Sequence, residues 1–334
     1  MIGRTRPLCA RPGERGRPEL SAPPFGHSLD ADLRTPSPMP DDQAMSIGDQ
    51  VPGHDVCVVG CGLMGAALVR TLASDGLRVA AWNRTFARAE ALAGANVTPT
   101  RDVAAGIAAS GLVLACTANY GNLYDTLDEV RTWNGQLLVN LTSGTPHDSE
   151  TFAAWAAQRE IDYLDGSVIS YPRAVGTPDA YFAYSGSRQA WERGEPVLKR
   201  LGTTRFMPGP PGLNSALLQG MAAFYTSALS SFVESTKYLL STGVPEAAVA
   251  EATASLVRDL KGAAAEAAQA VQTGEHTTDQ ATLDIFAEGV DHALADFAAN
   301  GMSPRILTAT RQSLAAAQEA GLGGLGISAQ AKTL

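Results

Sequence analysis

Residues 57–85 read CVVGCGLMGAALVRTLASDGLRVAAWNRT. An apolar, β-branched run starting at Asp55 is closed by glycine, a helical pattern follows through Leu72, and LRVAAWN supplies a second buried strand. Gly60, Gly62 and Gly65 therefore stand at GxGxxG spacing between a strand and a helix, the context in which that spacing binds a dinucleotide. The first glycine permits the tight turn, the second lets the backbone approach a pyrophosphate, and the third packs helix on strand. The free N–H groups of the helix start then face the negative charge. Cys61, Leu63 and Met64 complete the expected loop contacts, with the Cys61 thiol read as a small filler without a redox role.

The end of the second strand selects the nucleotide. An acid there would accept the ribose hydroxyls of NAD, whereas a basic residue suits a 2′-phosphate. The residues present are Asn83, Arg84 and Thr85, with Arg88 one helical turn on. Arg84 and Arg88 can form charge-assisted bonds to phosphate, and Asn83 and Thr85 can add neutral ones. NADPH is expected over NADH. Thr117, at the end of the strand-like segment GLVLACT, joins the expected cofactor set.

Working outward, GLVLACT from Gly111 and QLLVNLT from Gln136 repeat the buried-strand pattern after helical stretches, as a doubly wound, mostly parallel sheet requires. DYLDGSVIS and AYFAYSG extend it to about Gly186. Past Pro211 the pattern turns helical, with a long helix from Leu213 to Leu240 ended by Gly243 and Pro245. Helical segments beginning near Pro245, Asp279 and Pro304 follow, and GLGGLG close to the C-terminus reads as a mobile flap or a frayed tail. The expected fold class is an α/β N-terminal Rossmann domain plus an all-α C-terminal domain, joined by a long interdomain helix. The expected divisions are a disordered extension over 1–53, rich in Arg, Pro and Gly, a cofactor domain over 54–211, and a helical substrate and dimerisation domain over 212–334. Met45, just before the first strand, is expected to begin the functional chain.

At 334 residues and a formal charge of −9, without a basic cluster in the folded part, the chain is not a nucleic-acid binder. Cys9, Cys57, Cys61 and Cys116 show neither CxxC spacing nor metal-like pairing with histidine, so no metal site is expected and a reduced cytoplasmic setting is. No membrane span is expected either.

GCGLMG, WNRT, LVNLTSGTP, YLDGSVISYPRAVGTPDAYFAYSGS and GPPGLNSALL together resemble the imine reductase and reductive aminase family, relatives of the β-hydroxyacid dehydrogenases. The resemblance runs from Asp55 into the helical domain, and YPRAVGTPDA is its most specific block. It implies hydride transfer from NADPH to the carbon of a C=N bond of a cyclic imine or iminium. It also implies a homodimer whose helical domains are exchanged between subunits, with the site between one chain's Rossmann domain and its partner's helices. A non-standard site on such a scaffold suggests a specialised biosynthetic substrate.

On that resemblance Ser143 takes a position held by serine or asparagine in the family and would orient the nicotinamide or the substrate nitrogen, while Thr145 better fits the helix cap that follows. The long helix of the family, with the pattern PGLxxLYDxALL, presents an aspartate or tyrosine as proton donor. An ungapped alignment of PGLNSALLQG puts Leu218 there, and pairing ALL with ALL puts Asn214 there; neither is an acid. Helical spacing places Leu218, Met221, Ala222 and Tyr225 in one stripe, with Thr226 beside it. Tyr225, and Tyr171 in the specific block, are the two phenols available as hydrogen-bond donors. The expected pocket is thus Leu218, Met221, Asn214 and Thr226, with Tyr225, Tyr171 and Ser143 as the reacting groups. His147, His276 and His292 read as solvated, Asp165 as support for its loop, and Glu234 as a surface partner of Lys237. Two rival readings are a β-hydroxyacid-type dehydrogenase, whose lysine is missing from the long helix before Lys237, and a cofactor-binding protein without turnover.

Overall fold

A computed structural model describes residues 53–334. The expectations for the extension and for Met45 lie outside the described residues, apart from Gly53. Eight strands form one sheet in the order β3-β2-β1-β4-β5-β6-β7-β8. They are β1 His54–Val59, β2 Val79–Trp82, β3 Val97–Thr100, β4 Ser110–Ala115, β5 Leu137–Asn140, β6 Asp162–Val168, β7 Thr177–Gly186 and β8 Gly202–Pro208. The first six run parallel. β7 turns antiparallel to β6, and β8 pairs parallel with β7.

Successive residues of β1 feed opposite faces. Val56 and Val58 pack with one cluster, Cys57 and Val59 with the other, and all four are fully buried. Burial on both faces explains why this strand reads as a continuous apolar run. The helices that cover the faces are α1 Leu63–Ser74, α2 Phe86–Glu90, α3 Val103–Ala108, α4 Tyr120–Leu127, α5 Pro146–Ala157 and α6 Arg188–Leu198.

β7 and β8 are followed by α7 Leu213–Ser241, which ends as the sequence suggests: Gly243 takes φ 87°, and the Val244 N–H reaches the Leu239 carbonyl at 3.0 Å. Then come α8 Glu246–Thr273, α9 Leu283–Ala299 and α10 Arg305–Glu319. α9 begins at Leu283 rather than Asp279 because Thr282 caps it.

Three expectations are corrected here. GLGGLG is neither a flap nor a frayed tail: the Leu325 and Gly323 carbonyls accept from the Leu283 and Asp284 N–H groups at 2.8 and 3.1 Å. His276 is buried rather than solvated, with Nδ1 2.9 Å from the Ser328 hydroxyl. Glu234 does not serve Lys237. Its carboxylate accepts from the N–H groups of Arg305 at 2.8 Å and Ile306 at 3.1 Å, capping α10, which has no side-chain cap of its own. Among the described residues, α7 is long and apolar enough, with a mean hydropathy of 1.2, to cross a membrane by length and composition alone, which does not overturn the expectation of no span. Its first turn is fixed to β6 and β7 through buried Asn214 and Ser215.

Candidate active site

The C-terminal ends of β1, β2 and β4 open into a cleft of about 330 Å³ lined by Gly60, Gly62, Leu63, Met64, Gly65, Asn83, Arg84, Thr85, Arg88 and Thr117. Each glycine of the loop has a different steric reason. Gly60 takes φ 103°, and a Cβ there would lie 2.3 Å from the Cys116 carbonyl oxygen. A Cβ on Gly65 would lie 1.8 Å from the Gly60 oxygen. A Cβ on Gly62 would meet nothing within 4 Å, so the space above it faces the cleft. That open cradle at the start of α1 fits a pyrophosphate held by backbone amides.

The basic turn is held from below. Asn83 accepts from the Cys61 N–H at 3.0 Å and donates to the Thr85 carbonyl at 2.9 Å, so its side chain braces the two loops against each other. Arg84, exposed, donates to Asn122 of α4 at 3.1 Å. Neither Arg84 nor Arg88 has a carboxylate partner among the described residues, leaving both guanidinium groups to meet a phosphate. Cys61, counted among the cofactor contacts, turns inward and is a filler: burial pushes its thiol, like that of Cys116, up to about 11. Trp82, Cys116, Ala118, Asn122 and Thr126 also line the cleft and were not anticipated, because nothing in their local spacing distinguishes them.

Beside the cleft, Thr145 caps α5 in a reciprocal box with Asp148, which frees Ser143 from the capping role; Ser143 is exposed in the turn between β5 and α5. Beneath that turn lies a buried polar cluster. Asp165 of β6 is fully buried and accepts from Tyr163 at 2.7 Å and Asn140 at 3.3 Å. Burial pushes its carboxyl above the ordinary carboxylate range, against the hydrogen bonds that favour the charged form.

On α7, Tyr225 donates to the Tyr171 hydroxyl at 3.4 Å, with ring centroids 6.3 Å apart in an edge-on arrangement. Both phenols are about half exposed, 48% and 50%, so both are open to a ligand. The bond that Tyr225 donates to Tyr171 holds its phenol above the ordinary range. Arg173 lies 5.1 Å from the Tyr171 ring. The loop carrying Tyr171 rests on α1 through the Thr71 hydroxyl and the Val175 carbonyl, 3.4 Å apart, which ties it to the helix that the glycine loop opens. Among the described residues the tyrosine pair and the cofactor cleft share no hydrogen bond.

Leu218 is half-buried on α7, and Met221 and Thr226 are exposed there. Asn214 is corrected: it is fully buried, donates to Ser167 at 2.9 Å and accepts from the Ser185 hydroxyl, so it pins α7 to β6 and β7 and does not face a substrate.

Residues 55–209 match the model for the NAD binding domain of 6-phosphogluconate dehydrogenase, and residues 211–334 match the NADPH-dependent reductive aminase-like C-terminal domain. An NADPH-dependent reductive aminase from Aspergillus oryzae is 25% identical over 282 residues, covering 81% of this chain and 94% of that one. Two solved structures superpose with a TM-score of 0.78, each covering 84% of this chain and 99% of its own. They are an imine reductase from Myxococcus stipitatus in complex with NADP+, at 27% identity, and a reductive aminase from Aspergillus terreus in complex with NADPH and ethyl levulinate, at 25%. The two domain matches adjoin on one chain and span its Rossmann and helical halves alike, and the chain belongs to the imine reductase and reductive aminase family.

Proposed function

We propose that this protein is an NADPH-dependent reductase that delivers hydride to the carbon of a C=N bond in a cyclic imine or iminium. The observation that carries the reading is a glycine cradle followed by an unpaired basic turn, with no acid at the strand end, continuous with a reductive-aminase-like helical domain. Gly62 and the amides of the α1 start would hold the pyrophosphate, and Arg84 and Arg88 the 2′-phosphate. When bound, NADPH supplies the hydride.

The chain's own residues bind and orient. No carboxylic acid stands at either aligned position of α7, Leu218 or Asn214, so the proton comes with the substrate, an imine of ordinary basicity that arrives protonated. Tyr171, whose hydroxyl accepts from Tyr225 and keeps its own hydrogen free, donates a hydrogen bond where charge leaves the nitrogen, Tyr225 backs it, and Ser143 orients the nitrogen or the nicotinamide carboxamide. Leu218, Met221 and Thr226 line the apolar side. The absent acid also supports a specialised biosynthetic substrate over a broad range of simple imines.

The working unit is a homodimer with exchanged helical domains. Phe224, Leu229, Phe232 and Val233 of α7 and Leu256, Val257 and Leu260 of α8 are 42–68% exposed, an apolar face of the kind a second copy covers. The cytoplasmic setting rests on Cys57, Cys61 and Cys116 being free thiols.

The test is NADPH oxidation, with NADH as control, against cyclic imines, a preformed iminium and 3-oxo acids across pH. Iminium turnover at every pH, with imine turnover fading as pH rises, is expected. Unchanged turnover in both Tyr225→Phe and Tyr171→Phe removes the tyrosine role, and turnover of a carbonyl alone moves the protein to dehydrogenase chemistry.

A further inference from the structure

Under the turn that carries Ser143, one buried carboxylate ends a chain of hydroxyls. The Asn140 Oδ1 accepts from the Thr142 N–H at 2.9 Å, which fixes its amide nitrogen on the other side, where it donates to the Tyr120 hydroxyl at 2.9 Å. Tyr120 is 2.8 Å from the Ser149 hydroxyl, Ser149 is 2.7 Å from Ser215, and Ser215 donates to the Asp165 Oδ2 at 3.5 Å. An amide nitrogen only donates and a carboxylate only accepts, so the three intervening hydroxyls point one way, toward Asp165.

The chain is anchored in two places that matter. Ser215 belongs to the first turn of α7, the helix that bears Tyr225. Thr142 in turn accepts from the Thr117 N–H at 3.0 Å, and Thr117 lines the cofactor cleft.

We propose that Asp165 is a positioning residue for hydride transfer, fixing at once the strand-end turn with Thr117 at the cofactor cleft and the start of α7 on the substrate side. This rests on the reading of the protein as an NADPH-dependent reductase. With an amide at 165 only one of the two acceptor oxygens remains, so either Ser215 on one side or Tyr163 and Asn140 on the other face an N–H group instead of an acceptor. The turn and the helix then lose their common register although the core volume is kept.

The experiment compares Asp165→Asn, Thr142→Val and Thr142→Ser with the wild type. Three quantities are read: the Kd for NADPH, the emission enhancement of the bound nicotinamide, and the single-turnover rate of NADPH oxidation per folded protein. Asp165→Asn and Thr142→Val are expected to hold NADPH within about tenfold of the wild-type Kd and to lose the emission enhancement. Their rate is expected to fall about tenfold to a hundredfold, the range for a displacement near 1 Å. Thr142→Ser, which keeps the hydroxyl, retains all three. A lowered melting temperature with unchanged emission and rate makes the cluster merely structural and overturns the proposal, as does a Kd raised beyond about tenfold. A wild type that enhances emission yet reduces no substrate defeats the functional reading while leaving the positioning role to be decided by emission alone.

Discussion

Replacing Gly62 by alanine separates the fold from the cofactor. Gly62 has φ −71°, open to any residue, and its added Cβ meets nothing within 4 Å. The folded chain therefore accepts the methyl, and the loss of glycine freedom in the unfolded state stabilises the protein by roughly 0.4–1 kcal/mol. In the complex the same methyl stands where the pyrophosphate must approach. Displacing the phosphates loosens at least two amide contacts to a charged group at about 1.5 kcal/mol each, some 3 kcal/mol, or on the order of a hundredfold in Kd. Fluorescence titration with NADPH and a thermal melt of the unliganded protein are the assays. Wild-type affinity in Gly62→Ala refutes the cradle, and a collapsed melt refutes the steric argument. Gly65→Ala is the contrasting control, since its methyl would lie 1.8 Å from the Gly60 oxygen and must disturb the loop in either state.

Arg84→Ala and Arg88→Ala should each raise the Kd of NADPH about tenfold while leaving NADH within about twofold, measured by titration with both nucleotides. Glu234→Gln removes the anionic cap of α10 and should lower stability by about 1 kcal/mol in urea unfolding, without changing NADPH affinity. The bidentate Arg78 partner holds the Asp55 carboxyl below its ordinary value. Its contribution is present above the ordinary carboxylate pKa, near 3.9, and is lost as pH falls through the depressed folded value. Arg78→Ala should flatten that part of the urea-midpoint profile below about pH 4.

The sheet was legible where its physics is local. β1, β2, β4 and β5 are buried on both faces and advertise themselves as apolar runs, and the glycine spacing needs only nine residues of context. β3 and β8 were missed because each is a sheet edge: β3 contains Pro99, tolerated where a ladder bond is not required, and β8 is largely polar or half-exposed. The site was legible to the same degree. Loop and basic turn lie close together in sequence, whereas the partners that bury Asn214, cap α10 through Glu234 or enclose His276 lie 29, 71 and 52 residues away and leave no periodic trace. The meeting of Tyr171 with Tyr225 is likewise a product of α7 packing against β6 and β7, not of spacing.

Helix α8 buries Val249 alone among its 28 residues, so within one protomer little opposes its fraying. If the proposed second copy covers it, the order of this helix becomes a matter of dilution. At protomer concentrations below the dimer Kd, specific activity should decay after mixing at a rate set by dissociation, and saturating imine should not restore it. Adding more of the same protein, even a variant crippled at Gly62, should.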